Sequence, residues 1–143
     1  MKNILSYDIG RLIFQIQKME QGQDFDCVTL SASELHVIDA IGTEAVMLRV
    51  IAERLQITKG AVTQQINHLV DKEIVEKIPN PKDRRSQLVT LTTCGREAYL
   101  QHQSMHDQLI ARLMTELSSE EAITVFHKGL QVLIKALEDA KHG

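Results

Sequence analysis

Apolar residues recur along this chain with helical spacing in six segments and with strand alternation between the fourth and the fifth. Leu5, Ile9, Leu12, Ile16 and Met19 stand four and three apart, which predicts an amphipathic helix from Asn3 to about Gln21 with one continuous stripe. The stretch GQDFDCVTL reads as a connector. Ser31 with Glu34 then forms a capping box for a second helix, Ala32 to about Ile41, which Gly42 ends. A third helix covers roughly Leu48 to Leu55. Thr58 stands at the N-cap position of a fourth, in which Val62, Ile66, Leu69 and Val70 share one face. Glu73–Ile78 and Gln87–Leu91 alternate as short strands, and Pro79, Asn80 and Pro81 end the first, so the two form a hairpin. Thr92 or Thr93 caps a long helix to about Leu117. Ser118 with Glu121 forms a second capping box for a last helix to about Lys141, whose stripe is Ala122, Phe126, Gly129, Leu130, Leu133, Ala136 and Leu137.

The fold class implied is mainly α with a small β hairpin. The fourth helix docks by its apolar face and offers on the other Gly60, Thr63, Gln64, Asn67 and His68, short or amide-bearing side chains that fit a groove and reach base edges. Thr58 and Lys59 stand at its leading end. The hairpin tip carries Lys82, Asp83, Arg84 and Arg85, three cations too closely spaced to be packed inside and suited to straddling a phosphate backbone. Asp83 is expected to hold a neighbouring arginine in one rotamer by a charge-assisted hydrogen bond. Either feature alone is more often a solvated surface. Helix followed at once by charged hairpin is the arrangement of a double-stranded DNA reader.

Two runs carry a resemblance. Asp83, Arg84, Arg85 and Ser86, followed by Val89, Leu91, Thr92 and Gly95, resemble the wing signature of the MarR family of winged-helix regulators, D-x-R-(S/A) then V-x-L-T-x-x-G. IAERLQITKGAVTQQINHLVDKEIVEK is similar to that family's helix-turn-helix, with Ile51, Ala52, Leu55, Ile57, Val62, Ile66 and Leu69 at its apolar positions. The resemblance covers nearly the whole chain. It implies a winged helix-turn-helix lobe over 31–96, flanked by an N-terminal dimerisation helix and connector (1–30) and by C-terminal dimerisation helices (97–143). It also implies that the recognition helix enters the major groove and a wing arginine, by the family pattern Arg85, the minor groove. Glu73 departs from the pattern, because the family usually has a helix-ending glycine there. A left-handed cap without glycine costs about 1 kcal/mol, so a differently shaped turn into the wing is expected.

Charge counted by region agrees with a DNA partner. The chain carries −3 overall, but Met47 to Arg96 holds nine Lys/Arg against five Asp/Glu, and the remainder seven against fourteen. The basic excess lies where the motifs lie. No stretch approaches the ~20 apolar residues of a membrane span, and MKNILSYDIGR lacks a signal peptide's apolar run, so a cytoplasmic protein without a membrane partner is expected. Cys27 and Cys94 lack C-x-x-C spacing and are expected to be reduced thiols. G-x-S-x-G, H-E-x-x-H and phosphate-binding glycine loops are absent, which argues against an enzyme. Single-stranded RNA binding is a rival reading, but such modules stack bases on aromatic rings, and none of the five aromatics lies between Thr58 and Leu91. A winged helix that binds only proteins leaves the hairpin tip unexplained.

The terminal helices cannot all bury their stripes against a reading lobe of about fifty residues. A two-fold copy would cover them, giving a homodimer that presents two recognition helices about 34–36 Å apart to a pseudo-palindromic operator. The alternative is a three-helix bundle within one chain. A small ligand is implied by the resemblance alone. LHVIDAIG (35–42) and the run from Ser118 to Lys141 are similar to the branch that represses fatty-acid synthesis genes in Gram-positive bacteria, which would make an acyl chain the effector. No cofactor is favoured. His102 and His106, four apart, could share a zinc ion with His36 and Glu20, as a zinc-sensing branch of the family does. The commoner fate of such histidines is to continue the stripe of Leu109 and Leu113 as hydrogen-bonded interface residues. A peroxide-sensing Cys27 is a weaker alternative, because nothing near it in sequence lowers a thiol pKa.

Overall fold

A computed structural model describes residues 1–19 and 22–141. Its elements run α1 (Lys2–Met19), β1 (Gln23–Asp24), β2 (Thr29–Leu30), α2 (Ala32–Ile41), β3 (Val46–Met47), α3 (Leu48–Leu55), α4 (Lys59–Asp71), β4 (Val75–Pro79), β5 (Gln87–Leu91), α5 (Thr93–Leu117) and α6 (Glu120–Lys141). This is the mainly helical winged helix-turn-helix expected. The chain divides into two compact units, Met1–Gln101 and His102–Gly143.

In the first unit, α2, α3 and α4 surround a core closed by the wing strands. Leu35, Ile38 and Ile41 of α2, Ile51 of α3, Val62, Ile66 and Leu69 of α4, and Val75, Val89 and Leu91 of the sheet are all buried. The spacing that predicted each helix therefore also selected its inner face. Ser31 and Glu34 make the reciprocal capping box, and Gly42 closes α2 with φ 72°. Arg54 donates from α3 to the carbonyl of Ala40 at 2.7 Å, satisfying an orphan acceptor at the end of α2.

The sheet is antiparallel with order β3-β5-β4, and its register pairs Val75 with Leu91 and Lys77 with Val89. Two-residue β3 pairs Val46 with Val89 and adds a strand that its short length hid from the sequence. The supposed connector is itself a hairpin, with Gln23 opposite Leu30 and Asp24 opposite Thr29.

Four expectations are corrected. Strand β4 starts at Val75 rather than Glu73, because Glu73 and Ile74 close α4: Glu73 N–H donates to the Val70 carbonyl and Ile74 N–H to that of Leu69. This is a Schellman cap with Glu73 in the left-handed position, φ 61°, so the turn keeps the shape a glycine would give it. The cap of α6 is Ser119, whose hydroxyl accepts from Ala122 N–H at 3.1 Å. Ser118 takes a left-handed φ of 58° and no capping box with Glu121 forms. Cys27 and Cys94 are joined in a disulfide, 67 residues apart with Cα atoms 6.0 Å apart, which ties the β1–β2 hairpin to the first turn of α5. Spacing along the chain could not reveal a pair that only folding brings together.

The terminal helices leave their stripes uncovered. Helix α1 buries none of its residues, with Leu5 54 % and Phe14 62 % exposed. Helix α6 likewise buries none, and Phe126, Leu130 and Leu137 stand open.

Candidate nucleic-acid interface

Helix α4 begins where its cap chemistry allows. Thr58 is extended and its hydroxyl accepts from Ala61 N–H at 3.1 Å, leaving Lys59 and Gly60 exposed at the leading end. Thr63 donates its hydroxyl to the Lys59 carbonyl at 2.9 Å, so its oxygen remains an acceptor. Gln64 is exposed. Asn67 is exposed but partly engaged, because its Oδ1 accepts from Lys77 Nζ of β4 at 2.6 Å. The amide NH2 is left to donate outward. His68 leans toward α2, with Nε2 3.4 Å from Glu34 Oε2, although its side chain is 64 % exposed. The polar face expected of α4 is therefore present, with Gln64 and Asn67 both exposed on it.

The hairpin tip is organised by two side chains. Asp83 accepts from the backbone N–H of Arg85 at 3.0 Å, so it fixes the main chain of the turn and not a neighbouring guanidinium as expected. A short carboxylate two residues before an N–H closes an Asx turn, and that local bond outcompetes a flexible partner. Asn80, read from sequence as a turn former alone, is buried and works from the other side. Its Oδ1 accepts from Lys82 N–H at 3.0 Å and its Nδ2 donates to Ser86 Oγ at 2.9 Å. With the backbone held by Asn80 and Asp83, the side chains of Lys82, Arg84 and Arg85 are all exposed.

Glycine at 95 sets the wing's root. A Cβ there would overlap the Ile74 carbonyl oxygen, the same oxygen that accepts from Thr92 N–H at 2.9 Å. Thr92 also caps α5, its hydroxyl accepting from Gly95 N–H at 3.2 Å.

Two of the metal candidates lie side by side on α5. His102 and His106 pair through Nε2 atoms 3.3 Å apart with rings edge-on, and His102 is buried. His36 is exposed on α2 and Glu20 lies outside the described residues. Among the described residues, no group of three or more His, Cys, Asp or Glu is placed to hold a metal ion. Cys27, being disulfide-bonded, offers no thiolate for metal or peroxide in this state. No helix of the described residues is long and apolar enough to cross a membrane.

Residues 28–86 match the profile of the MarR family. Over 122 residues the chain is 32% identical to the multiple antibiotic resistance protein MarR of Escherichia coli (strain K12), covering 82% of this chain and 85% of that one. Its fold is similar to that of Streptococcus pneumoniae FabT in a crystal structure with DNA, with TM-score 0.72, 29% identity and coverage of 97% and 95% of the two chains. Lactococcus lactis ZitR, a zinc-responsive MarR family member, shares the fold at TM-score 0.69 and 20% identity, with coverage of 95% and 98%.

Proposed function

The chain belongs to the MarR family, whose members are transcriptional regulators and not enzymes, and we propose that it is a homodimeric repressor that binds a pseudo-palindromic double-stranded operator. The carrying observation is the pairing, on one core, of an open polar α4 face with a wing tip whose backbone is fixed and whose cations are free to reach outward. Helix α4 enters the major groove by Gln64, with Thr63, Asn67 and His68 around it, Gly60 allows close approach, and Thr58 and Lys59 meet phosphate. Lys82 and Arg84 hold the backbone beside the wing while Arg85 enters the minor groove. Asp83 contributes by ordering the tip. That FabT is seen with DNA supports this reading at the level of the shared fold.

A second copy of this chain would cover the stripes of α1 and α6, uncovered apolar surface of a kind monomers rarely keep. The effector is an apolar acyl ligand, on the likeness to the fatty-acid-synthesis branch. Zinc is a second reading, favoured by one observation: Nε2 atoms 3.3 Å apart match the edge of a tetrahedron with zinc–nitrogen bonds of about 2.0–2.1 Å. The pair supplies two corners, and the zinc-responsive ZitR has a similar fold.

The decisive experiment is duplex binding across a salt series. A slope of log affinity against log salt of several units is expected, since each neutralised phosphate contributes about 0.9. A flat slope, or a preference for single strands, would overturn the reading.

A further inference from the structure

Between the start of α3 and the hairpin tip lies a cleft of about 530 Å³. Arg49 of α3, Lys59 of α4, and Arg84 and Arg85 of the wing all line it, and no carboxylate is among its lining residues. Four cations from three separate parts of the fold thus face one space. Helix α3 opens onto the same cleft, and its N-cap, Met47, makes no side-chain cap hydrogen bond to the first turn. Such a terminus favours an anion.

We infer that this cleft seats the sugar–phosphate strand that separates the two grooves, and that Arg49 is a phosphate-contacting residue of the interface. The inference rests on the duplex-binding reading above. A duplex that takes α4 in its major groove and the wing in the adjacent minor groove must send one strand between them, and the cleft is the space between them. Its occupant is therefore a run of phosphodiesters. Arg49 suits this because a planar guanidinium can grip two phosphate oxygens at once, and because it is exposed and free to reach. The sequence offered no sign of it, since α3 reads as a supporting helix and Arg49 lies well outside the recognition helix and the KDRR turn.

The test combines Arg49→Ala, Arg49→Lys and a scan in which single operator phosphates are replaced by neutral methylphosphonates. Arg49→Ala should melt with the wild type, bind every duplex about tenfold more weakly with an unchanged base preference, and lower the salt slope by about one. Arg49→Lys should keep the slope and lose part of the affinity, because the charge stays and the fork is lost. One methylphosphonate position should weaken the wild type but leave Arg49→Ala unaffected. If the wild type binds duplex with a steep slope and Arg49→Ala matches it in affinity and slope, the cleft inference fails alone. A wild type that binds no duplex would overturn the functional reading together with it. A changed base preference in Arg49→Ala would also overturn it, by showing contact with bases instead of phosphate.

Discussion

Glu34, in the first turn of α2, holds Lys72, the cap of α4, through both carboxylate oxygens at 2.7 and 3.0 Å. Lys72 also donates to the Thr29 carbonyl at 3.1 Å, so one ammonium ties the end of the recognition helix to α2 and to β2. The same carboxylate accepts from Ser31 N–H as the return half of the capping box. One residue thus sets the start of α2 and the end of α4.

This arrangement makes stability depend on acid. Burial alone would raise the Glu34 carboxyl, but the hydrogen bonds from Lys72 and Ser31 outweigh it and hold the group below its ordinary value. A depressed folded pKa means the contribution is present above the unfolded value, about 4.3, and is lost as pH falls through the folded one. Glu34→Gln keeps a capping-box side chain but removes the charge. It should cost about 1 kcal/mol in urea unfolding at pH 7, and the gap from wild type should narrow as pH falls below the unfolded value and close as the lowered folded one is passed. A gap independent of pH would show that the charge contributes nothing.

The caps around the wing give opposite signs at two positions. Glu73→Gly should stabilise the protein by about 0.5–1 kcal/mol, because the left-handed φ at that site is costly for a side chain and free for glycine. Gly95→Ala should destabilise it by about 1–3 kcal/mol, since the added methyl meets the Ile74 carbonyl and the backbone must shift. Thermal melts of the two variants against wild type decide both.

What the sequence revealed was whatever chemistry is local. Ser31 and Glu34, or Thr58 and Ala61, lie within one turn of each other, and the apolar period of α4 names its inner face directly. Strands of two residues, such as β1 and β3, have no period to read. The Cys27–Cys94 bond, the Glu34–Lys72 pair and the approach of Arg49 to the wing all join residues far apart in the chain, and none is visible until the core has formed. Asp83 departs from its expected role for a subtler reason: its partner is near in the chain but is a backbone N–H, which the pattern of charges does not report.

Arg84→Ala and Arg85→Ala should each weaken duplex binding with folding intact, because both side chains are exposed and surface substitutions rarely move stability by more than ~0.5 kcal/mol. At least one should lower the salt slope by about one unit. Gln64→Ala should instead change the preferred base pairs in a selection assay, since Gln64 is exposed on α4 and an amide can read base edges. Wild-type affinity in both arginine variants would remove the wing from the mechanism.

A dimer at micromolar concentration is expected from the open stripes of α1 and α6. Leu133 lies on the α6 stripe and is half-buried within its own chain, so Leu133→Asp should disrupt dimer or fold by placing an unpaired charge in an apolar seam. Light scattering and circular dichroism separate the two outcomes. A wild-type monomer that still binds a palindrome tightly would defeat the dimer.

The effector can be decided on one duplex with two ligands. If His102 and His106 are a hydrogen-bonded pair at an interface, His106→Ala should alter stability or dimerisation while added zinc leaves operator affinity unchanged in both proteins. Their Nε2 contact already gives each ring a partner, and a buried imidazole so engaged needs no metal to be satisfied. An acyl ligand, by contrast, should shift affinity in wild type and in His106→Ala alike, because its binding draws on about 0.8 kcal/mol per buried methylene and not on an imidazole. Lengthening the chain by two methylenes should then tighten the effect by roughly tenfold. Anisotropy titrations with zinc, with a chelator and with an acyl series read all of these. A zinc-dependent gain in affinity that a chelator reverses, and that disappears in His36→Ala, His102→Ala and His106→Ala together, would overturn the acyl assignment and make the paired histidines two corners of a metal site.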